Sequence, residues 1–280
     1  MQKTILITGC STGIGRHAAE GLAARGYRVF ATARKAEDVE ALRAAGLESL
    51  QLDLDDSASI NAAVDEVLHR TGGTLDALFN NGAYGQPGAV EDLRRDVLRA
   101  QFETNLFGTL ELTNRIIPVM RAQGHGRIIQ NSSLLGLVAL PYRGAYNASK
   151  FALEGLTDTL RLELAGSGIH VCLIEPGPIE SRFRANAYAA FKRNIDAAGS
   201  VHRLRYEAQE RRLTKVGPAA PFTEPPSAVL KRLIHALEDP RPKPHYYVTV
   251  PTWFFAIARR VLPVRLLDQV LLAVSRGESR

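Results

Sequence analysis

The 280-residue chain reads as an α/β protein built on a doubly wound parallel sheet, and two observations predict this. As far as Glu175, short apolar strand-like runs alternate with stretches of helical periodicity, joined by short connections. The first of these junctions is a glycine-rich turn, Gly9-Cys10-Ser11-Thr12-Gly13-Ile14-Gly15. In such a sheet this is where backbone N–H groups and a helix N-terminus face an anionic ligand.

Each element follows from its pattern. Lys3–Thr8 is an apolar strand, the helix after the glycine turn ends near Gly26, and Tyr27–Thr32 is the second strand. Helix Ala36–Ala45, strand Ser49–Leu52, helix Ser57–Thr71 and strand Leu75–Phe79 continue the alternation. Two longer helical stretches, Glu91–Phe102 and Leu106–Gln123, precede the strand Arg127–Ser132. Phe151, Leu153, Leu156, Leu160 and Leu164 then recur at helical spacing, and Ile169–Glu175 is a buried-type strand. After Pro176-Gly177-Pro178 the pattern changes: residues 182–222 are polar, arginine-rich and only patchily periodic, as expected of mobile helices over a cleft. Ala228–Leu237 reads as a helix and Tyr246–Val250 as the last strand. Residues 1–250 are thus expected to form one domain with a lid, and 251–280 a helical C-terminal extension.

Composition narrows the function. The content of 45% hydrophobic and 23% charged residues suits an ordinary globular protein with a packed core. A formal charge of +6 without a long lysine/arginine block speaks against nucleic acid as a partner. The two cysteines, Cys10 and Cys172, have no ligand spacing and suggest a reducing compartment. The first strand starts too early for a signal peptide, and no apolar run approaches the ~20 residues of a membrane span. A cytoplasmic location is expected. His17, His69, His125, His170, His202, His235 and His245 show no metal-ligand spacing; they read as surface or packing residues, with no metal site.

Chemistry concentrates around Gly144-Ala145-Tyr146-Asn147-Ala148-Ser149-Lys150. Tyr146 and Lys150 stand four apart and share a helical face. A cation beside a phenol favours the phenolate, which predicts a Tyr146 pKa drawn down toward the range of a general acid/base. Ser133, at the end of the Arg127–Ser132 strand, offers a second hydroxyl. A proton donor, a tuning cation and a hydroxyl suit reversible reduction of a carbonyl. Leu134, Leu135, Leu137, Val138 and Leu140 follow Ser133 and suggest an apolar cleft wall, hence a lipophilic substrate, although core packing explains them equally.

These motifs, in this order from Thr8 to about Ser181, resemble the short-chain dehydrogenase/reductase family. The turn Thr8-Gly9-Cys10-Ser11-Thr12-Gly13-Ile14-Gly15 is similar to its T-G-x-x-x-G-x-G, and Asn80-Asn81-Gly82-Ala83 to its N-N-A-G with the last two residues exchanged. Ser133, Tyr146 and Lys150 match its catalytic serine and Y-x-x-x-K; Asn105 falls where it places a catalytic asparagine. Pro176-Gly177-Pro178-Ile179 with Ser181 matches its P-G segment.

The resemblance implies a Rossmann-type fold, with Tyr146 as proton donor and acceptor. Lys150 would tune it and hold the nicotinamide ribose, Ser133 would orient the substrate oxygen, and Asn105 would position a relay water. It also implies a dinucleotide held by Gly9, Ser11, Thr12, Gly13, Ile14, Gly15, Asn80, Gly82, Tyr146, Lys150, Pro176, Gly177, Ile179 and Ser181. Asp53 resembles the family's adenine-contacting aspartate, although a helix cap reads nearly as well. An NAD site usually carries a carboxylate after the second strand, whereas here Ala33-Arg34-Lys35 precedes the first carboxylate, Glu37. Arg34 and Lys35 therefore predict NADP(H), with NAD the lesser expectation.

The expected activity is NADPH-dependent reduction of lipophilic aldehydes or ketones. A nucleotide-binding regulatory protein without turnover and a membrane-surface protein are the competing readings. From Trp253 the chain is apolar but interrupted by Arg259, Arg260, Arg265, Asp268, Arg276 and Arg280. This extension is expected to dock: on the cleft or a second subunit of a homo-oligomer by preference, otherwise as a peripheral contact on an anionic membrane.

Overall fold

The computed structural model describes residues 2–218 and 220–278. Residue 219 of the expected lid and residues 279–280 of the extension, Arg280 included, lie outside the described residues. The chain runs β1 (Thr4–Ile7), α1 (Gly13–Ala24), β2 (Arg28–Ala33), α2 (Ala36–Ala44), β3 (Glu48–Gln51), α3 (Ser57–Thr71) and β4 (Ala77–Asn80). It continues through α4 (Arg95–Phe102), α5 (Gly108–Gln123), β5 (Gly126–Asn131), α6 (Gly144–Glu163) and β6 (Ile169–Glu175). Last come α7 (Phe183–Asn194), α8 (Arg203–Thr214), α9 (Ser227–Glu238), β7 (His245–Tyr247), α10 (Val250–Val261) and α11 (Val264–Glu278).

The seven strands are all parallel, in the order β3-β2-β1-β4-β5-β6-β7. Strand order reverses between β1 and β4, where Ile7 pairs with Ala31 on one side and Phe79 on the other. A crevice opens outside the carboxyl ends of the strands at such a reversal. Both sheet faces are covered, so the strands carry nearly unbroken apolar runs instead of alternating ones. Ile5 and Ile7 meet Leu22, Val229 and Leu233 of α1 and α9 on one face. Leu6 turns the other way, to Ile60, Val64, Leu112 and Ile116 of α3 and α5. The doubly wound sheet expected from the sequence is the one observed.

Several expected boundaries change: the helix expected from Glu91 begins at Arg95, after a single 3-10 turn over Val90–Asp92, and β4 covers Ala77–Asn80 instead of Leu75–Phe79. The stretches expected as separate helices around 91–123 are joined, because a π-helical segment, Glu103–Phe107, links α4 to α5. The last strand stops at Tyr247, not Val250: Pro251 falls at the start of α10, where a missing N–H costs a helix nothing. The lid region forms α7 and α8, pinned to the body by Tyr206. Its hydroxyl accepts from Ala89 N at 2.9 Å and donates to Asp92, while its ring packs with Phe191 and Ile195. Among the described residues no helix is long and apolar enough to cross a membrane.

Two glycines test the packing in opposite directions. A Cβ on Gly108 would stand 1.8 Å from the Leu54 carbonyl oxygen, whereas one on Gly155, inside α6, meets nothing within 4 Å. Gly108→Ala is expected to destabilise the fold by about 1–3 kcal/mol, and Gly155→Ala to stabilise it by roughly 0.5–1 kcal/mol. Thermal melts of the two variants shifting in the same direction would contradict this account.

Candidate active site

The glycine turn is a place of close backbone approach. Gly9 has φ +71°, and a Cβ there would lie 2.8 Å from Gly82 Cα; on Gly15 it would lie 2.3 Å from Gly9 O. Thr12 ends the turn in extended conformation and α1 starts at Gly13, so free N–H groups and the positive end of the helix face the crevice. A cradle without side chains at a helix N-terminus fits a dinucleotide diphosphate.

Asn81, not the expected Asn80, holds this cradle. Asn81 Nδ2 donates to Thr8 O at 2.9 Å and Gly9 O at 3.2 Å, while its Oδ1 accepts from Asn131 Nδ2 at 2.8 Å. The Asn81 and Gly82 N–H groups donate to Thr8 Oγ1 at 2.9 and 2.8 Å. Asn80 points through the sheet instead, donating to Thr113 Oγ1 at 2.8 Å, because successive residues of a strand face opposite sides. That alternation was the available signal.

Ser133 follows β5, and its Oγ accepts from Leu135 N at 3.1 Å. Tyr146 and Lys150 lie on the first turns of α6, with Lys150 Nζ 5.7 Å from the Tyr146 ring centroid and donating to Asn131 O at 2.7 Å. The expected depression of the Tyr146 pKa is not found. Burial pushes the phenol up to about 12, against a smaller lowering by its hydrogen bond with Ser133. Burial also draws Lys150 down to about 8, against the raising influence of Glu154. Desolvation disfavours each charged form and is the largest cause for both groups, while the influences opposing it come from Ser133 and Glu154, not from the tyrosine–lysine pair.

Asn105 sits in the π-helical segment, a feature frequent at functional sites. Its Nδ2 donates to Tyr84 O at 2.9 Å and Ser149 Oγ at 3.1 Å, and its Oδ1 accepts from Tyr84 N at 3.1 Å. The Asn105 amide thus ties α6 to the segment after β4.

Pro176 O accepts from Leu134 N at 2.8 Å, and Gly177 lies so close to α10 that a Cβ would come 2.1 Å from Thr249 Oγ1. Ile179 bridges Glu224 at the far end of the lid, and Ser181 Oγ accepts from Phe183 N at 3.3 Å. Phe183, which the sequence did not single out, stands edge-on to Tyr146 with ring centroids 5.3 Å apart. A cavity of about 610 Å³ joins these parts, with the glycine turn, Ser133, Tyr146 and Lys150 all on its wall. Leu134, Leu135, Val138 and Leu140 line it as well, whereas the expected Leu137 is buried in the core. Phe255 of α10 and Leu271 of α11 complete the apolar end.

Arg34, Lys35 and Asp53 lie outside that cavity, beyond the ends of β2 and β3. Arg34 is exposed and has no ion-pair partner among the described residues; Lys35 pairs with Glu37 at 3.0 Å. Asp53 Oδ1 accepts from Asp55 N at 3.1 Å, and the N-cap of α3 is Asp56.

One cluster was invisible to sequence spacing. Glu154, Glu175 and His245 come from α6, β6 and β7, and their ligand-type atoms lie within 4.8 Å of one another. His245 Nδ1 meets Glu175 Oε1 at 2.5 Å, and Nε2 faces Asp158 Oδ1 at 3.3 Å. His245 is thus a buried-side ion-pair partner, not a simple surface or packing residue, and its hydrogen bond to Glu175 raises its pKa. Burial, reinforced by the Glu175 charge, pushes Glu154 from 4.5 up to about 8.

A family model described as short chain dehydrogenase matches residues 3–191. The chain belongs to the short-chain dehydrogenase family and is an oxidoreductase with a nicotinamide-cofactor site. It is 41% identical over 271 residues to the uncharacterized oxidoreductase YbbO of Escherichia coli K12, covering 97% of this chain and 94% of that one. It is 34% identical over 260 residues to human 17-beta-hydroxysteroid dehydrogenase type 1, covering 88% and 77%. A solved short-chain dehydrogenase from Streptomyces avermitilis superposes with TM-score 0.77 at 29% identity, over 99% of this chain and 98% of that one. A Burkholderia phymatum family member in complex with NAD superposes with TM-score 0.77 at 25% identity (97% and 95%). An actinorhodin polyketide ketoreductase variant with NADPH gives TM-score 0.71 at 28% identity (88% and 95%).

The raised Glu154 pKa has a sign that can be checked. Between pH 4.5 and about 8 the unfolded chain releases this proton and the folded chain keeps it, so folding loses stability as pH rises through that window. Glu154→Gln removes the titration. Its melting temperature relative to wild type is expected to climb steadily between pH 5 and 8 in differential scanning calorimetry. Parallel curves would refute the protonated carboxyl.

Proposed function

We propose that the protein interconverts a lipophilic aldehyde or ketone and its alcohol, with NADP(H) as hydride partner. One observation carries this reading: a single cavity has the glycine cradle at one end, half-buried Ser133 and Tyr146 with buried Lys150 in the middle and an apolar wall at the other end. The bound cofactor supplies or accepts the hydride.

Gly9, Ser11, Thr12, Gly13, Ile14 and Gly15 would hold the diphosphate, supported by Asn81 and Gly82. Lys150, Tyr146 and the Pro176, Gly177, Ile179 and Ser181 stretch would hold the nicotinamide half, with Asp53 toward the adenine. Arg34 would take the 2′-phosphate, since a free guanidinium stands where a ribose-binding carboxylate would otherwise be; Lys35, paired with Glu37, would contribute less.

Tyr146 Oη gives its proton to the substrate oxygen in reduction and recovers it in oxidation, while Ser133 Oγ orients and polarises that oxygen. Held at about 12, the phenol is protonated across the physiological range, which is the form an acid needs for reduction. Lys150, drawn down to about 8, can carry its charge at neutral pH yet release a proton more readily than a solvated lysine. Asn105 acts as a positioning residue through Tyr84 and Ser149. Phe183 and the apolar wall exclude water from the reacting carbonyl. Leu135, Val138, Leu140, Phe255 and Leu271 favour an alkyl or ring-bearing substrate over a sugar or amino acid.

Two measurements test the reading, both run as NADPH oxidation against a panel of aldehydes and ketones. Tyr146→Phe keeps the ring and removes the proton; kcat should fall by roughly 10²–10⁴-fold with NADPH binding retained. More than about a tenth of wild-type turnover would exclude Tyr146 as the acid. Arg34→Asp should lower the NADPH/NADH preference at least ~10-fold, since a charge-assisted hydrogen bond contributes about 1.5–3 kcal/mol. An unchanged ratio would remove Arg34 from the cofactor site.

A further inference from the structure

We infer that the outer face of α10, continued into the start of α11, is a docking surface for an anionic lipid membrane. This helix is apolar on both sides. Phe255 and Ala258 face inward, buried with Leu134, Leu135, Val138, Leu140 and Leu271. Val250, Phe254, Ile257 and Val261 face outward with exposures of 57%, 52%, 57% and 67%. Their spacing, i, i+4, i+7 and i+11, places them on one stripe. Trp253 at 49% and Val264 at 73%, just across the Pro263 turn, widen it. Phe254 and Trp253 touch Phe255 and Tyr247 edge-on, yet both keep about half of their surface exposed, and an exposed apolar face of this kind marks an interaction surface.

Charge selects the occupant. Arg260, Arg265 and Arg276 are exposed along the same two helices, whereas Arg259 turns to the Phe151 ring of α6, and Asp268 is the one acidic residue between Val250 and Gly277. A second copy of the chain, itself carrying +6, would meet like charge there. Anionic headgroups would meet opposite charge, and an aromatic residue such as Trp253 suits the headgroup level of a bilayer. Neither helix can span, so the surface lies on the membrane plane as an amphipathic element does. Pro251, Phe255, Leu271 and Val274 of these helices also line the catalytic cavity. Docking would therefore turn the apolar end of the cavity toward lipid, a consequence that rests on the proposed lipophilic substrate; the docking itself does not.

The test uses the full chain in flotation with phosphatidylcholine vesicles, with and without phosphatidylglycerol, and sedimentation velocity in parallel. Wild type should float with the anionic vesicles and about 10-fold less with the neutral ones or at high salt. Phe254→Ser/Ile257→Ser and, separately, Arg265→Glu/Arg276→Glu should each lower the bound fraction about 10-fold while melting temperature and NADPH binding stay unchanged. Absence of flotation for wild type, or undiminished flotation of the serine variant, would overturn the inference. So would a wild-type dimer that the serine variant converts to monomer without any vesicle binding, which would assign the face to a second copy.

Discussion

A chain of three hydrogen bonds joins Lys150 to the glycine turn, and the rest of the site depends on it. Lys150 Nζ donates to Asn131 O, Asn131 Nδ2 donates to Asn81 Oδ1, and Asn81 Nδ2 donates to Gly9 O. It crosses the ends of β5, β4 and β1, the strands that flank the switch in sheet order. Because Asn81 bonds at both ends, neither the cradle nor the lysine can shift without opening a buried polar pair, which is expensive away from water. The glycine turn and the Tyr146–Lys150 end of α6 are thus held in one frame.

Burial then sets the ionisation of that frame. Tyr146, Lys150 and Glu154 lie within two turns of α6, and each is shifted toward its neutral form, to about 12, 8 and 8. A phenol, an amine and a carboxyl all move in the direction desolvation demands, although the amine and the phenol share a helix face. His245 and Glu175 form a hydrogen-bonded pair at 2.5 Å at the end of the sheet; that bond raises the His245 pKa, while burial raises that of Glu175. The helix therefore carries in turn a phenol, an amine and a carboxyl, each shifted toward its neutral form.

The apolar half of the cavity is assembled from three distant parts of the chain. The segment after Ser133 gives one wall, Phe183 of the lid stands against Tyr146, and α10 with α11 closes the end through Phe255 and Leu271. The C-terminal helices serve as structure on one side while leaving a second apolar stripe on the other. Most surface helices have one apolar face, so this two-sided character separates α10 from its neighbours.

Much of this was legible in the sequence, for local reasons. Strand–helix alternation and the Gly9–Gly15 turn determined the parallel sheet, since a doubly covered strand must be apolar throughout and a close backbone approach tolerates no Cβ. The four-residue spacing of Tyr146 and Lys150 determined that they share a helical face, because helical periodicity depends on sequence alone. The tertiary structure decided the rest. Which of two adjacent asparagines faces the cleft depends on the side of the sheet each occupies, and Asn81, not Asn80, faces it. The Tyr146 pKa depends on how much water the fold removes: desolvation raises it, and the hydrogen bond with Ser133 lowers it by less. His245 reaches Glu154 and Glu175 only because β7 pairs with β6, a contact across 70 residues that no local spacing can encode.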